Sequence, residues 1–484
     1  MKLERTTTGL IIHNPDNVIK RKVLQYFSLV NPIREYFIYS GNDKSRPPIF
    51  GLEHDVIYIS SGFLTIGDPL INQLPRPSII QSMDPQHITL DMNREPRSPL
   101  QEDCIKMLTD PSNSSGGKIT IELKPGVGKT FIATYAISKI QLKPLIVAPT
   151  SLLKNQWCEE FEGVGIPRKD IATDIFDSPN KKVCVVTISS IENNLREDWK
   201  ALMDVVSKSG FGIKVVDEAH LHLKGILKFD AICNIRHNWY LSATLGRSDV
   251  LEDNILNRAL SDAKRFVGDS KYEEYQHQYV NVYFQDIYYY PSNKLCAQHF
   301  KYGSKGLIKA TYYNMLMDYH HGIPFISNLL YLMKIAKKNM TYDAKVLLLV
   351  PLLSIIDRTI EAMHNDPFFS QYTMSGVDGS MSLATRREAM ESDFILSTTL
   401  SMGTGVDVKN LGAVINFDQF SSPIIVEQIY GRLRDRGKET WYYDITDNVR
   451  QARMFRTWGS KRRSLIPYFP GSHDQIRQLP DIKS

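Results

Sequence analysis

The chain is poor in cysteine: five in 484 residues, Cys104, Cys158, Cys184, Cys233 and Cys296, far apart and without a C-x-x-C pair. That spacing argues against a disulfide framework or a zinc ribbon and points to a reducing compartment. No apolar run approaches the ~20 residues that span a bilayer, and the opening residues, Met1 to Asn17, lack the apolar stretch of a secretory leader. The expected setting is the cytoplasm (the host's, for a viral protein), with no membrane partner. A dominant charge is missing too. With 58 Lys and Arg against 53 Asp and Glu, the net +5 is too small to coat the surface, so any nucleic-acid site must be local. There is no fixed-period repeat and no long low-complexity tract.

What is present is alternation. Residues 1–90 hold two strand-like pieces, Gly9–His13 and Asp55–Ser60, and a helix is expected over Val18–Phe27. Pro75, Pro77, Pro85, Pro96 and Pro99 then read as a linker. From Leu100, short apolar runs (Lys118–Leu123, Pro144–Ala148, Lys182–Thr187, Gly212–Val216, Trp239–Ser242) alternate with helical stretches. Strands buried on both faces of a parallel sheet look like this. A second alternation begins near Tyr279 and recurs at Ala344–Val350, Phe394–Thr398, Ala413–Phe417 and Thr440–Tyr443. The expected plan is a small amino-terminal α/β module over 1–90, expected to bind DNA, and one α/β unit over 91–255. A second unit follows over 256–465, with an insertion at about 285–324, and then a tail over 466–484.

The strongest local signal is Pro125-Gly126-Val127-Gly128-Lys129-Thr130, between the strand Ile119–Leu123 and the helix Thr130–Ile140. Glycines let backbone N–H groups close on phosphates, and the helix N-terminus adds positive dipole. Lys129 can reach the β/γ-phosphates and Thr130 can hold Mg²⁺. The full pattern wants a small residue where Leu123 stands, and a chance match in a loop is the bland alternative. The second signal is Asp217-Glu218-Ala219-His220 at the end of the strand Gly212–Val216. There Asp217 would bind Mg²⁺ through water, and Glu218 would orient or deprotonate the attacking water. Alone, such a pair is equally an N-cap. Together the two motifs describe a P-loop NTPase using ATP and Mg²⁺.

Ser242-Ala243-Thr244 follows an apolar strand, as a segment linking hydrolysis to DNA grip would. Ala148-Pro149-Thr150 with Gln156-Trp157, and Thr187-Ile188-Ser189-Ser190, follow strands of the same unit, where amides and hydroxyls suit phosphate contacts along one nucleic-acid strand. Ser397–Asp407 and Gln428–Arg436 complete the set in the second unit. In this order the motifs, from Arg97 to Asp447, resemble the superfamily 2 helicases of the DEAH/DExH type. The resemblance implies two tandem RecA-like lobes with ATP in their cleft and nucleic acid across both. It implies that Gln101 reads adenine, that Lys129, Thr130, Asp217 and Glu218 form the ATP site, and that Gly405, Asp407, Gln428 and Arg432 add the second lobe's share. His220 is implied to couple ATP to DNA binding. The family pattern places the arginine finger at the position of Asp435; Arg436 is favoured in its stead, with Arg434 as alternative.

Within that superfamily the stretch Gly403–Leu411, the length and the small amino-terminal module are most similar to the UvsW-like phage helicases. That implies branched DNA as substrate, single-stranded DNA as track and RNA as a possible component of R-loops, with a monomer as the acting unit. Three alternatives stand: an RNA helicase, a translocating subunit of a larger machine, and a nucleic-acid scaffold with a dead ATP site. In the insertion, Lys294, Lys301, Lys305 and Lys309 occur without any acid between Ser292 and Thr311, among Tyr288, Tyr289, Tyr290, Tyr302, Tyr312 and Tyr313. Phosphate contact with base stacking and a core with a solvated rim are about equally good readings. The basic run Arg450–Arg463 reads as a DNA-channel lining or a solvated face.

Overall fold

The computed structural model of the protein describes residues 1–21, 56–60, 77–82, 84–113, 117–124, 126–243, 253, 256–257, 259–268, 272, 280–303, 306–402, 408–433, 438–466 and 476–483. Pro125, Lys305, Gly405, Asp407, Arg434 and Arg436 lie outside the described residues, as does most of the helix expected at Val18–Phe27. The chain divides into two compact units, Met1–Tyr275 and Gln276–Ser484.

The first unit opens with a four-stranded sheet of β1 (Lys2–Arg5), β2 (Gly9–His13), β3 (Val56–Ser60) and β4 (Ser78–Ile79), in the order β3-β2-β1-β4. Leu3, Leu10, Ile12, Ile57 and Ile59 bury one face of it, the period-2 pattern of a half-covered sheet. The main sheet is built from β5 (Gly117–Glu122), β6 (Pro144–Ala148), β7 (Ile171–Ala172), β8 (Val183–Thr187), β9 (Ile213–Val216), β10 (His237–Ser242) and β11 (Lys264–Val267). Its order is β11-β5-β10-β9-β6-β8-β7, and every pair is parallel. Crossover helices cover it: α1 (Pro99–Thr109), α2 (Lys129–Ile140), α3 (Ser151–Gly163), α4 (Ile188–Lys208) and α5 (Leu223–Ile232).

Two features differ from the sequence expectation. β11 pairs with β5, so the first sheet runs beyond residue 255. The proline-marked linker is strapped to the sheet's amino-terminal edge. Gln86 N donates to Gly210 O (2.8 Å), Lys143 N to Gln86 O (2.9 Å) and Ile88 N to Gln141 O (3.0 Å). A Cβ on Gly212 would come within 2.8 Å of Pro85, so the strap lies where only glycine lets it.

The second unit contains β12 (Val280–Tyr288), α6 (Asn293–His299), the short hairpin β13 (Tyr302–Gly303) and β14 (Gly306–Leu307), α7 (Lys309–Asp318), α8 (Ile323–Asn339) and β15 (Lys345–Val350). It continues with α9 (Leu353–His364), β16 (Met374–Val377), α10 (Leu383–Ala389), β17 (Phe394–Thr398), α11 (Thr399–Met402), β18 (Leu411–Asn416), α12 (Pro423–Tyr430), β19 (Thr440–Asp447) and α13 (Arg453–Leu465). The parallel sheet runs β16-β17-β15-β18-β19-β12-β20, where β20 is Ile476–Gln478; β21 (Ile482–Lys483) also pairs with β12. The described part of the expected tail is therefore sheet edge. Its prolines and charges masked Leu479 and Ile482, which pack on the second core.

That core also claims most of the insertion's aromatics. Tyr289, Tyr312 and Tyr313 are fully buried among Phe325 and Phe455, out of reach of any base. Tyr290 and Tyr302 stay 61% and 67% exposed. Lys309 binds Asp418 at 2.6 Å and donates to Gln419 O at 2.9 Å, while Lys294 and Lys301 are exposed. A run without acids is thus only a local property: the partner acid arrives from just past the end of β18. The basic run is likewise split, because Arg462 is fully buried and Arg463 is paired with Asp286 at 2.8 Å.

Asp447, fully buried at the end of β19, carries a pH prediction. Burial pushes its carboxyl up to about 8, against Tyr312 and Arg462 and with Asp418. A carboxyl raised on folding stabilises least where it must ionise, so stability should fall as pH rises from about 4 to about 8. Asp447→Asn should raise the thermal midpoint at pH 8 and leave it nearly unchanged at pH 4. Equal midpoints at pH 8 would remove Asp447 as the cause.

Candidate functional site

The site forms at the carboxyl edge of the first sheet, where parallel α/β sheets present loops and helix N-termini together. Register sets it. Glu122 on β5 lies opposite Ser242 on β10, and Tyr240 on β10 opposite Val216 on β9. Val216 in turn lies opposite Val147 on β6, and Ala148 opposite Thr187 on β8. The segments bearing Lys129, Asp217, Thr150 and Ser189 therefore leave the sheet side by side, next to Ser242 at the end of β10.

The loop before α2 uses its glycines for backbone shape. Gly126 has φ 88° and Gly128 φ 95°, a left-handed region costly for other residues. Gly128 is also the N-cap of α2, and among the described residues no side-chain cap is made there. Its first-turn N–H groups thus face the loop with the helix dipole behind them, a ready anion site. Gln101 ties this loop down: its Nε2 donates to Val127 O (2.7 Å), and its Oε1 accepts from Arg97 N (2.8 Å). Adenine, if it contacts Gln101, must use the amide's remaining hydrogen and lone pair.

Lys129 Nζ donates to Leu123 O at 3.3 Å and lies 3.3 Å from Glu218 Oε1. Asp217 Oδ2 accepts from the buried Trp157 Nε1 at 2.9 Å, and its Oδ1 from Glu218 N at 3.0 Å. His220 Nδ1 is 2.7 Å from Ser242 Oγ and 3.5 Å from Glu218 Oε2. Burial, with the charge of Glu218 beside it, raises the Asp217 carboxyl to about 6. Burial also works against the charge on Glu218, yet Lys129 and His220 outweigh it and hold that carboxyl below the glutamate range. One of two adjacent carboxylates is thereby kept anionic.

ATP and Mg²⁺ fit these residues. The uncapped helix start and Lys129 suit phosphate, Asp217 and the half-buried Thr130 offer oxygen ligands, and Glu218 Oε2 is buried without a hydrogen-bond partner among the described residues. Trp157, grouped in the sequence with the phosphate-contact segment after β6, instead holds Asp217. A buried indole N–H needs an acceptor, but nothing in the sequence says that the acceptor is Asp217.

Of the residues expected to touch nucleic acid, Thr150 caps α3, its Oγ1 accepting from Leu153 N (3.3 Å), and Ser189 is exposed in the first turn of α4. Gln428 and Arg432 are half-buried in the second unit, on α12 and just after it.

Residues 95–246 match the family model described as the type III restriction enzyme res subunit, and residues 326–436 that of the helicase conserved C-terminal domain. A protein of African swine fever virus, provisionally named an ATP-dependent RNA helicase, is 28% identical over 180 residues, 33% of each chain. The DNA 3′-5′ helicase XPB of Kineococcus radiotolerans is 24% identical over 148 residues, 30% of this chain and 26% of that protein. The chain thus covers about a third of the viral relatives' length. The structure of S. cerevisiae Dbp5 bound to RNA and ADP BeF3 aligns with a TM-score of 0.51 at 12% identity, over 80% of this chain and 89% of that one. The likeness is one of fold: two parallel-sheet, RecA-like domains.

Proposed function

From two matched domains that indicate a superfamily 2 helicase, we propose that the chain is an ATP-driven DNA translocase that remodels branched DNA: forks, Holliday junctions and R-loops. The observation that carries the ATPase is the Lys129–Glu218 pair at the uncapped start of α2. ATP, with Mg²⁺ at Thr130 and Asp217, supplies the phosphoanhydride whose cleavage drives movement. Lys129 exchanges Glu218 for the phosphates, and Glu218, released from it, orients and deprotonates water. Thr150 and Ser189 hold the strand's phosphates. Gly405, Asp407, Gln428 and Arg432 add the second unit's contacts to the nucleotide, and Arg436 or Arg434 stabilises the charge that develops on the γ-phosphate.

The choice of branched DNA rests on the UvsW-like stretch Gly403–Leu411. An RNA substrate is the second reading, favoured by the name of the viral relative. ATP turnover and unwinding measured on fork, four-way junction, R-loop, plain duplex and RNA duplex separate the two. Forks and junctions should stimulate turnover most; stimulation by RNA alone would replace the DNA reading.

Among the described residues, Lys294 and Lys301, with Tyr290 and Tyr302, are the exposed lysines and tyrosines of the insertion and suit phosphate contact and stacking. Changing both lysines to Ala should lower the salt slope of fork binding by roughly one unit per lysine and leave DNA-free ATP turnover unchanged. An unaltered slope would make them a solvated rim.

A further inference from the structure

The amino-terminal sheet bears directly on the helix that follows Glu218. The turn Thr6–Gly9, between β1 and β2, sits on the carboxyl end of α5. Thr8 Oγ1, fully buried, donates to Asp230 O at 2.8 Å, and Thr6 Oγ1 to Cys233 O at 3.2 Å. Thr7 N donates to Asn234 Oδ1 at 3.2 Å, and Asn234 Nδ2 to Gln81 O at 3.1 Å. A Cβ on Gly9 would meet Ala231 O at 2.8 Å, so the turn is pressed against the helix backbone. The last carbonyls of a helix lack partners within it; here a distant part of the chain supplies them.

The same helix end is joined to both strands of the hydrolytic loop. The Asp230 carboxylate pairs with Lys214 of β9 through Oδ1 and accepts from Tyr240 OH of β10 through Oδ2 at 2.8 Å. All three side chains are buried. β9 runs directly into Asp217 and Glu218, and β10 ends at Ser242, the partner of His220. Between the end of β9 and the start of α5 lie only six residues, Asp217 to His222, with Glu218 at φ 48° and His222 at φ 52°. Left-handed backbone at two non-glycine residues persists only where the surroundings over-determine it. A short, strained turn whose flanking elements are both fixed at Asp230 has little freedom of its own.

We propose that Thr8 is a positioning residue for Glu218: by holding the Asp230 end of α5, the amino-terminal sheet sets the turn that aims the water-activating carboxylate. The proposal rests on the reading of Glu218 as that carboxylate. A misplacement of a fraction of an ångström matters here, because aiming errors near 1 Å cost on the order of a hundredfold in rate.

The test uses the full chain with saturating ATP and forked DNA. Thr8→Val keeps the side chain's shape and removes the O–H; kcat should fall roughly tenfold while KM for ATP stays within about twofold. Thr8→Ser, which keeps the donor, should restore kcat. Tyr240→Phe removes the hydrogen bond on the other side of Asp230 and should reproduce the loss, and it carries the test alone if Thr8→Val does not fold. Parent-like kcat in folded Thr8→Val or, failing that, in Tyr240→Phe overturns the proposal and leaves a purely structural brace. Loss of kcat in Thr8→Val that Thr8→Ser does not restore also overturns it. A parent chain with no ATP turnover at all overturns the functional reading first, and this proposal with it.

Discussion

Glu218→Gln should still bind ATP, yet its turnover should fall by roughly 10²–10⁴-fold, the usual worth of a positioned general base. The substitution is nearly isosteric, so the strained backbone at Glu218, φ 48°, is not asked to change. What disappears is the negative charge. Lys129, 3.3 Å away, loses its anionic neighbour and stays available to phosphate, so binding should hold or tighten. The attacking water loses its proton acceptor, because Glu218 Oε2, buried, 3.5 Å from His220 Nδ1 and without a hydrogen-bond partner among the described residues, is the carboxylate oxygen left for it. Lys129→Ala should fail differently, at binding, since it removes the ammonium that neutralises the phosphates. Fluorescent-nucleotide titration and phosphate release on the same preparations separate the two. Parent-rate hydrolysis by Glu218→Gln would end its assignment as the water-activating residue.

How far the sequence carried this site follows from which interactions are local. Strands buried on both faces announce themselves as apolar runs, so Pro144–Ala148 and Phe394–Thr398 appear where expected, residue for residue. The loop before α2 and the Asp217–Glu218 pair stood out as candidates because the chemistry proposed for them needs fixed spacing within a few residues. Contacts made across long chain separations left no such trace. Trp157 meets Asp217, Lys309 meets Asp418 and Thr8 meets Asp230 only because the fold brings them together. The tyrosines of the insertion were ambiguous for the same reason. An aromatic beside a lysine is a stacking platform on a surface and core filling beneath one, and only α8 and α13 decide that Tyr312 and Tyr313 belong to the core.

The basic run Arg450–Arg463 contains the clearest case, and the second large effect is expected there. Arg462 lies in the last turn of α13 with no exposure. Its Nε donates to Asp444 Oδ2 at 2.8 Å, Nη1 to Phe420 O at 2.8 Å, and Nη2 to Asp444 Oδ1 at 3.2 Å and Ile445 O at 3.0 Å. Gly459 brings the helix close enough for this: a Cβ there would stand 2.3 Å from Thr446 Oγ1 on β19. Arg462→Ala therefore leaves the fully buried Asp444 carboxylate with only the more distant Arg463 (3.4 Å) and takes the guanidinium from Phe420 O, while Ile445 O keeps Gln419 Nε2 at 2.9 Å. Removal of one partner from such a buried pair costs about 3–5 kcal/mol. Against a total of roughly 5–15 kcal/mol for a domain, that is enough to unfold much of the second unit at 37 °C. Replacing both charges, as Arg462→Met with Asp444→Leu, should recover most of the loss, because an apolar pair needs no compensation for desolvation. Arg463, 3.4 Å from Asp444, would keep its bond to Gln285 O (3.0 Å) and its pairing with Asp286. Urea unfolding of the single and double variants measures both terms. If Arg462→Ala shifts the transition by less than about 1 kcal/mol, the range of an exposed pair, then this arginine is not the buried tie between α13 and β19 and belongs, after all, with the solvated charges of the run.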